Sequence, residues 1–350
     1  MKFLMSICQR LIPALIVLLV FSPLISARTH HFRSGSKKKA LPVGMEDLFK
    51  EMWAISGASY CMRNDIIAWD VGSTTTNYIP ITRLVNVQGH QGVSVYDGDG
   101  FTRAVIGYDT QTHIAFLVFR GTIPSSPQNL YQDLTAIVSS NYVHAGCDGC
   151  KVGSGLKSAY DSIAAQNIIR DFQMIYNAHS TDTNPPPRIV VSGHSLGGAM
   201  ANFGFIDVCD TLGSVDIFVT FGAPRVGNSY FADWLTASNC AANQKYRVTY
   251  NRDLIPHVPF GYFGIFKHAG AEIFYRDNNQ APADNCGQDT NTCSGSLWLT
   301  ASLIDHGAYM GMSGSNMKCV FSLALFHNFK AKYNRMKNEQ YNLKRKSFET

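Results

Sequence analysis

One stretch limits the possible folds more than any other. Ile189-Val190-Val191 runs into Ser192-Gly193-His194-Ser195-Leu196-Gly197-Gly198 and then Ala199-Met200-Ala201. The β-branched run predicts a strand over 188–191. The small residues after the glycines predict a helix, over 199–209, that packs closely on its neighbours. Between them, Gly193-His194-Ser195-Leu196-Gly197 fits G-x-S-x-G, a turn so tight that glycine is needed two residues before and two after the serine. Such a turn lifts the serine hydroxyl above a sheet, and the helix start aims the amide of Leu196 at any negative charge forming there. A glycine-rich turn with an incidental serine is the other reading of a bare pentapeptide; the strand before it and the helix after it argue against that.

The rest of the chain alternates in the same way. Leu48, Met52 and Ile55 predict an opening helix over 45–60, and strands are expected at 104–108 and 114–119. A helix over 156–178, capped by Ser154, keeps Leu156, Tyr160, Ile163, Phe172 and Ile175 on one face, and Pro185 to Pro187 prevent its continuation. Strand 215–221, helix 230–235 and strand 246–250 follow, with short strands and turns after 260. Strands alternating with helices predict an α/β fold, a mostly parallel central sheet covered by helices on both faces. No linker divides 45–320, so that span is read as one domain.

The ends have a different character. Lys2 and Arg10 precede an apolar run over 11–21, and Ser26-Ala27 offers small residues for cleavage, the order of a secretory signal peptide over 1–27. An uncleaved anchor is the rival reading, against which stand the shortness of the run and its Pro13. Residues 28–44, with Lys37-Lys38-Lys39, read as a basic leader or pro-segment; its His30-His31 pair is read as part of a solvated linker rather than a metal site. Residues 321–350 form a basic tail. Residues 45–329 carry sixteen basic against twenty-three acidic groups, which argues against a nucleic-acid-binding body. With 45% hydrophobic and 16% charged residues, the chain can bury a large core, so disorder is excluded. Apart from Cys8, eight cysteines remain, an even number that suits an oxidising, extracellular compartment. Cys147-Asp-Gly-Cys150 lacks the second nearby ligand pair of a zinc site and is read as a disulfide.

A serine at its ordinary pKa is a poor nucleophile and needs a base oriented by a carboxylate, following it in the order Ser, Asp/Glu, His. Asp253 comes just past strand 246–250, at the strand end where open α/β sheets carry their working residues. His306 is late enough in the chain to return over the sheet. Spacing alone leaves His257 and His268 as rival bases.

Phe119-Arg120-Gly121-Thr122, the serine turn, Asn251-Arg252-Asp253-Leu254-Ile255-Pro256 and Asp305-His306-Gly307-Ala308-Tyr309 together resemble the fungal-type class 3 lipases, over roughly 45–320. The resemblance implies an α/β-hydrolase fold and a secreted carboxylic ester hydrolase, foremost a triacylglycerol lipase. It makes Ser195 the nucleophile, Asp253 the orienting acid and His306 the base. Backbone amides of Thr122 and Leu196 would form the oxyanion hole, with neither metal nor cofactor required. Arg120 and Asp133 have family counterparts that act in structure. The resemblance also implies disulfides Cys61–Cys319, Cys147–Cys150 and Cys286–Cys293, which leaves Cys209 with Cys240.

Relatives of this kind carry a helical lid, here within 123–145. Ser126-Pro127 suits a helix start, and Leu130, Leu134 and Ile137, with Tyr131 adjacent, make an apolar face. That face would contact a lipid–water interface in a monomeric enzyme; a fixed packing helix has the same stripe. Tyr131 in place of a tryptophan, and four polar residues nearby, leave phospholipase or feruloyl-type esterase activity as alternatives. A catalytically silent lipid-binding protein is the remaining one. Phe260 to Phe266 reads as partial core or an acyl-groove wall.

Overall fold

The computed structural model describes residues 41–99, 102–121, 138–241, 244–259, 266–276, 284–288, 292–297, 302–313 and 319. The chain divides into two units, Met1–Lys38 and Lys39–Thr350, and every described residue lies in the second. The expected signal peptide, most of the leader and the basic tail lie outside the described residues.

Helices α1 (Met45–Ala58), α2 (Arg63–Ile67) and α3 (Ser73–Tyr78) precede β1 (Leu84–Val85), β2 (Ser94–Asp97), β3 (Arg103–Asp109) and β4 (Ile114–Arg120). The hairpin of β5 (Ser139–Asn141) and β6 (Lys151–Gly153) leads to α4 (Ser154–Ala164) and α5 (Ile168–His179). Then come β7 (Arg188–His194), α6 (Leu196–Leu212), β8 (Ile217–Phe221), α7 (Ser229–Ala237), β9 (Lys245–Tyr250), β10 (Ala271–Tyr275) and β11 (Asp284–Asn285). A second small hairpin pairs β12 (Ala308–Tyr309) with β13 (Met312–Ser313).

The main sheet has the order β1-β3-β4-β7-β8-β9-β10-β11, with β2 also on β3. Strands β4, β7, β8, β9 and β10 are parallel to one another, and the antiparallel pairings lie at the two sides. Both faces are covered, as the period-two side-chain alternation requires. Along β4, Phe116 and Val118 join the core beneath α1, while Ala115, Leu117 and Phe119 join the core beneath α4 to α6. Strand register brings Phe119 beside Gly193, Gly193 beside Thr220 and Phe221 beside Val248. The carboxyl ends of β4, β7, β8 and β9 therefore end side by side, and the loops that follow them share one rim.

Two local expectations are corrected. The predicted helix over 156–178 is two helices, because Asn167 takes a left-handed backbone (φ 62°) between α4 and α5. Asparagine tolerates that conformation, and it ends one helix before the next begins. Ser154 does not cap α4: it is the first helical residue, and its hydroxyl donates to the Val138 carbonyl at 3.1 Å. Helix α6 is longer than expected and is buried throughout from Gly197 to Ile206, which suits the mostly apolar and small side chains of that stretch, while Asp210 and Thr211 at its far end are exposed. Four disulfides link Cys61 with Cys319, Cys147 with Cys150, Cys209 with Cys240 and Cys286 with Cys293. No helix among the described residues is long and apolar enough to cross a membrane.

Candidate active site

Ser195 stands between β7 and α6 with φ 59° and ψ −129°, a backbone conformation non-glycine residues rarely adopt. The strain is held by its surroundings. Its N–H donates to the Phe221 carbonyl at 3.0 Å, and its own carbonyl accepts from Gly198 at 2.9 Å. Leu196 is the first residue of α6, so its amide is among the four that no intrahelical carbonyl can satisfy.

Asp253 follows β9, and its buried carboxylate takes three kinds of donor. Nδ1–H of His306 lies 2.9 Å from Oδ2 and 3.1 Å from Oδ1; the amide of Ile255 donates to Oδ1 at 2.9 Å; the Tyr309 hydroxyl donates to Oδ2. A carboxylate can only accept, so Nδ1 carries the imidazole hydrogen and Nε2 keeps its lone pair. Burial, then the charge of Asp253, pushes the Tyr309 hydroxyl well above its usual pKa, so it stays a donor. Trp53 of α1 forms the floor. It is fully buried, sits edge-on to the rings of His194 and Tyr309, and donates Nε1–H to the Met312 carbonyl at 3.2 Å.

The acid loop and the base loop are stitched together by backbone bonds. Ser302 N–H donates to Arg252 O at 3.0 Å, and Leu254 N–H donates to Ser302 O at 3.3 Å. Asp305 adds its carboxylate, accepting from the Arg252 amide at 3.2 Å, while its own amide donates to Ser302 Oγ at 3.1 Å. Ser195 Oγ and His306 Nε2 are both buried and neither has a hydrogen-bond partner among the described residues. One is a hydroxyl and the other an acceptor nitrogen, on adjoining loops; such bonds are often open without substrate and tighten when it binds.

The rival histidines are engaged elsewhere. His268 donates Nε2–H to the Pro256 carbonyl at 2.7 Å, and burial with the nearby Arg247 charge holds it neutral. Burial and Arg225 likewise lower the pKa of His257, and no hydrogen bond joins it to Asp253. Of the other carboxylates, Asp207 accepts from Tyr160, Asp216 from the Ile189 amide and Glu272 from Thr249 and Ser294. Thr122, Asp133 and the expected lid residues Leu130, Tyr131, Leu134 and Ile137 lie outside the described residues. So does most of the aromatic run from Phe260, of which Phe266 is buried. Among the described residues no cluster of three or more His, Cys, Asp or Glu is arranged to hold a metal. Sequence reasoning assigned no role to Tyr309, His194, Tyr60 or Trp53. Tyr309 and His194 stood inside recognised motifs, whereas Tyr60 and Trp53 gave no local signal beyond being aromatics in and just past the opening helix.

Burial, reinforced by the neighbouring Asp253 charge, raises the Asp305 carboxyl pKa, against the lowering effect of its bonds to Ser302 and Arg252. The folded chain then holds that proton to a higher pH than the unfolded chain does. Stability falls as pH rises from the ordinary carboxylate value through the raised one, and the penalty is complete above it. Asp305→Asn keeps an acceptor for the Arg252 amide and removes the charge. It is expected to raise Tm slightly at pH 7, with the difference closing as pH falls below the ordinary carboxylate range. A lower Tm for the asparagine variant at pH 7 would show that the charge stabilises the loop.

A parallel sheet covered on both faces, with a strained serine after the central β7 and an Asp–His pair on the same rim, is the arrangement of the α/β-hydrolase fold. The model of the class 3 lipase family matches residues 116–263. The chain is 31% identical to a lipase of Rhizomucor miehei over 229 residues, which is 63% of this chain and 57% of that one. It is 27% identical to a lipase of Rhizopus niveus over 298 residues, 83% of this chain and 69% of that one. A solved triacylglycerol lipase whose catalytic centre is a serine-protease-type triad superposes with TM-score 0.65 at 24% identity, over 80% of this chain and 99% of that one. Over these residues the chain resembles the class 3 lipases. The match spans only 57% of the Rhizomucor relative's length.

Proposed function

We propose that this protein is a serine ester hydrolase whose substrates are triacylglycerols presented at a lipid–water interface. The observation that carries the reading is the buried Asp253–His306 pair, bonded at 2.9 Å with Nε2 left free, on the rim that also carries the strained Ser195. In the proposed reaction the Ser195 hydroxyl attacks the ester carbonyl and His306 Nε2 takes its proton. The amides of Leu196 and Thr122 hold the oxyanion. Protonated His306 then gives the proton to the departing alcohol, leaving the acyl group on Ser195. Water, deprotonated by the same imidazole, releases the acid and restores the serine.

Residues 1–27 are proposed to be a signal peptide, 28–44 a basic leader, 45–320 the hydrolase domain and 321–350 a basic tail of a secreted monomer. The four disulfides support export. Residues 123–145 would be the lid, with Leu130, Tyr131, Leu134 and Ile137 facing lipid.

The test is a hydrolysis panel of emulsified triacylglycerol, phospholipid and a soluble short-chain ester, with Ser195→Ala as blank. The expected result is fatty acid release from triacylglycerol that climbs once substrate exceeds its solubility limit, absent in the blank. Hydrolysis of soluble esters alone would assign the site to an esterase. Activity persisting in Ser195→Ala would refute the mechanism.

A further inference from the structure

Three segments remote in sequence meet at one phenol. Tyr60 follows α1 and adjoins Cys61, which is bonded to Cys319. Its hydroxyl lies 2.7 Å from Nδ1 of His194, and Nε2 of that same imidazole lies 2.8 Å from the backbone carbonyl of His306. A carbonyl can only accept, so Nε2 carries the hydrogen and Nδ1 is left to accept from Tyr60. The phenol oxygen in turn accepts the backbone N–H of Gly121, which follows β4. A Cβ at residue 121 would stand 2.3 Å from that hydroxyl and 2.7 Å from Ser195 Cβ, so the turn after β4 approaches Tyr60 only as glycine.

All the groups in this chain of bonds are buried, and both ionisable ones are held neutral. Burial, then the adjacent His306, lowers the His194 pKa well below its ordinary value, and burial pushes the Tyr60 hydroxyl up. The edge-on indole of Trp53, with ring centroids 5.1 Å apart, and the His306 ring at 4.5 Å leave the His194 imidazole little room to turn over.

We infer that Tyr60 and His194 form a positioning relay: a continuous set of buried hydrogen bonds that fixes the turn after β4, the serine elbow and the His306 loop relative to one another. The relay rests on the hydrolase reading above and deepens it, since those three loops carry the proposed oxyanion arm, nucleophile and base. Neither side chain hydrogen-bonds to Ser195 Oγ or His306 Nε2. Its value lies in distances: a displacement of about 1 Å between reacting groups costs on the order of 100-fold in rate. The motif alone hides this role, because the residue before the serine is unspecified in G-x-S-x-G.

Three variants test it. His194→Leu fills the volume and removes both bonds; His194→Gln keeps an amide N–H able to reach the His306 carbonyl; Tyr60→Phe removes only the hydroxyl. On a soluble p-nitrophenyl ester, His194→Leu is expected to lower kcat about 30- to 100-fold with KM changed less than about threefold. Fluorophosphonate labelling of Ser195 should slow by a similar factor. His194→Gln should recover to within about tenfold of wild type, and Tyr60→Phe should lose about tenfold. The downfield proton resonance of His306 Nδ1–H should broaden in the leucine variant and return in the glutamine variant. Wild type left unlabelled by the fluorophosphonate would overturn the hydrolase reading itself. Wild type labelled, with the leucine variant labelled just as fast, would overturn the relay alone, as would a rise in KM at unchanged kcat. Should His194→Leu fail to fold, Tyr60→Phe decides: labelling at the wild-type rate overturns the relay.

Discussion

Asp253→Asn is expected to lower kcat on the order of 10⁴-fold, the scale that the wrong imidazole tautomer costs a serine hydrolase, while leaving the fold nearly as stable as before. The loss follows from who donates to whom. In the native site all three neighbours, the Ile255 amide, the Tyr309 hydroxyl and Nδ1–H of His306, donate to the carboxylate. An asparagine offers one oxygen and one NH₂ in the same outline. With its oxygen kept on the Ile255 amide, its NH₂ faces both Tyr309 and His306. The hydroxyl can rotate and accept, but Nδ1 can accept only by giving up its hydrogen. The ring then carries its proton on Nε2, where the base should be. Kinetics on a soluble ester measure the loss, and thermal unfolding should show a small change, because volume and most bonds survive. A variant that retained more than a tenth of wild-type kcat would mean that Asp253 does not set the tautomer of His306.

How much of this arrangement could be read from the chain depended on the range of the forces that set it. The serine elbow was legible because it is local: a β-branched run, two spaced glycines and a small-residue helix specify the turn among neighbours. The alternation that gave the parallel sheet was legible for the same reason. The partnership of Asp253 with His306 was not, because it depends on β9 ending beside a loop fifty-three residues later. Residue types and spacing left His257 and His268 standing, and only their bonds and burial remove them. The break at Asn167 escaped a reading based on apolar periodicity, since one left-handed residue interrupts a helix without changing which face is apolar. Trp53 and Tyr60 were invisible as site residues because their partners, Met312, His194 and Gly121, are more than fifty positions away.

Gly197→Ala should cost the fold about 3 kcal/mol or more, lowering Tm by roughly 6–12 °C, and remove most activity with it. A Cβ on Gly197 would stand 2.1 Å from the Phe119 carbonyl oxygen and 2.6 Å from the Arg120 carbonyl carbon. These are backbone atoms of β4, a strand bonded along its length to both neighbours, so nothing flexible can give way. The first turn of α6 must move instead, and with it the amide of Leu196 and the strained backbone dihedrals that present Ser195. Gly155, early in α4, supplies the control. A Cβ there meets nothing within 4 Å, so Gly155→Ala should be neutral or stabilising by up to about 1 kcal/mol through the ordinary helical preference for alanine. Any gap in Tm between the two variants therefore measures the collision, not the generic effect of replacing glycine. Two equal melting curves would mean that the elbow has room to spare, and a loosely held elbow could not keep the Leu196 amide aimed at one point above the serine.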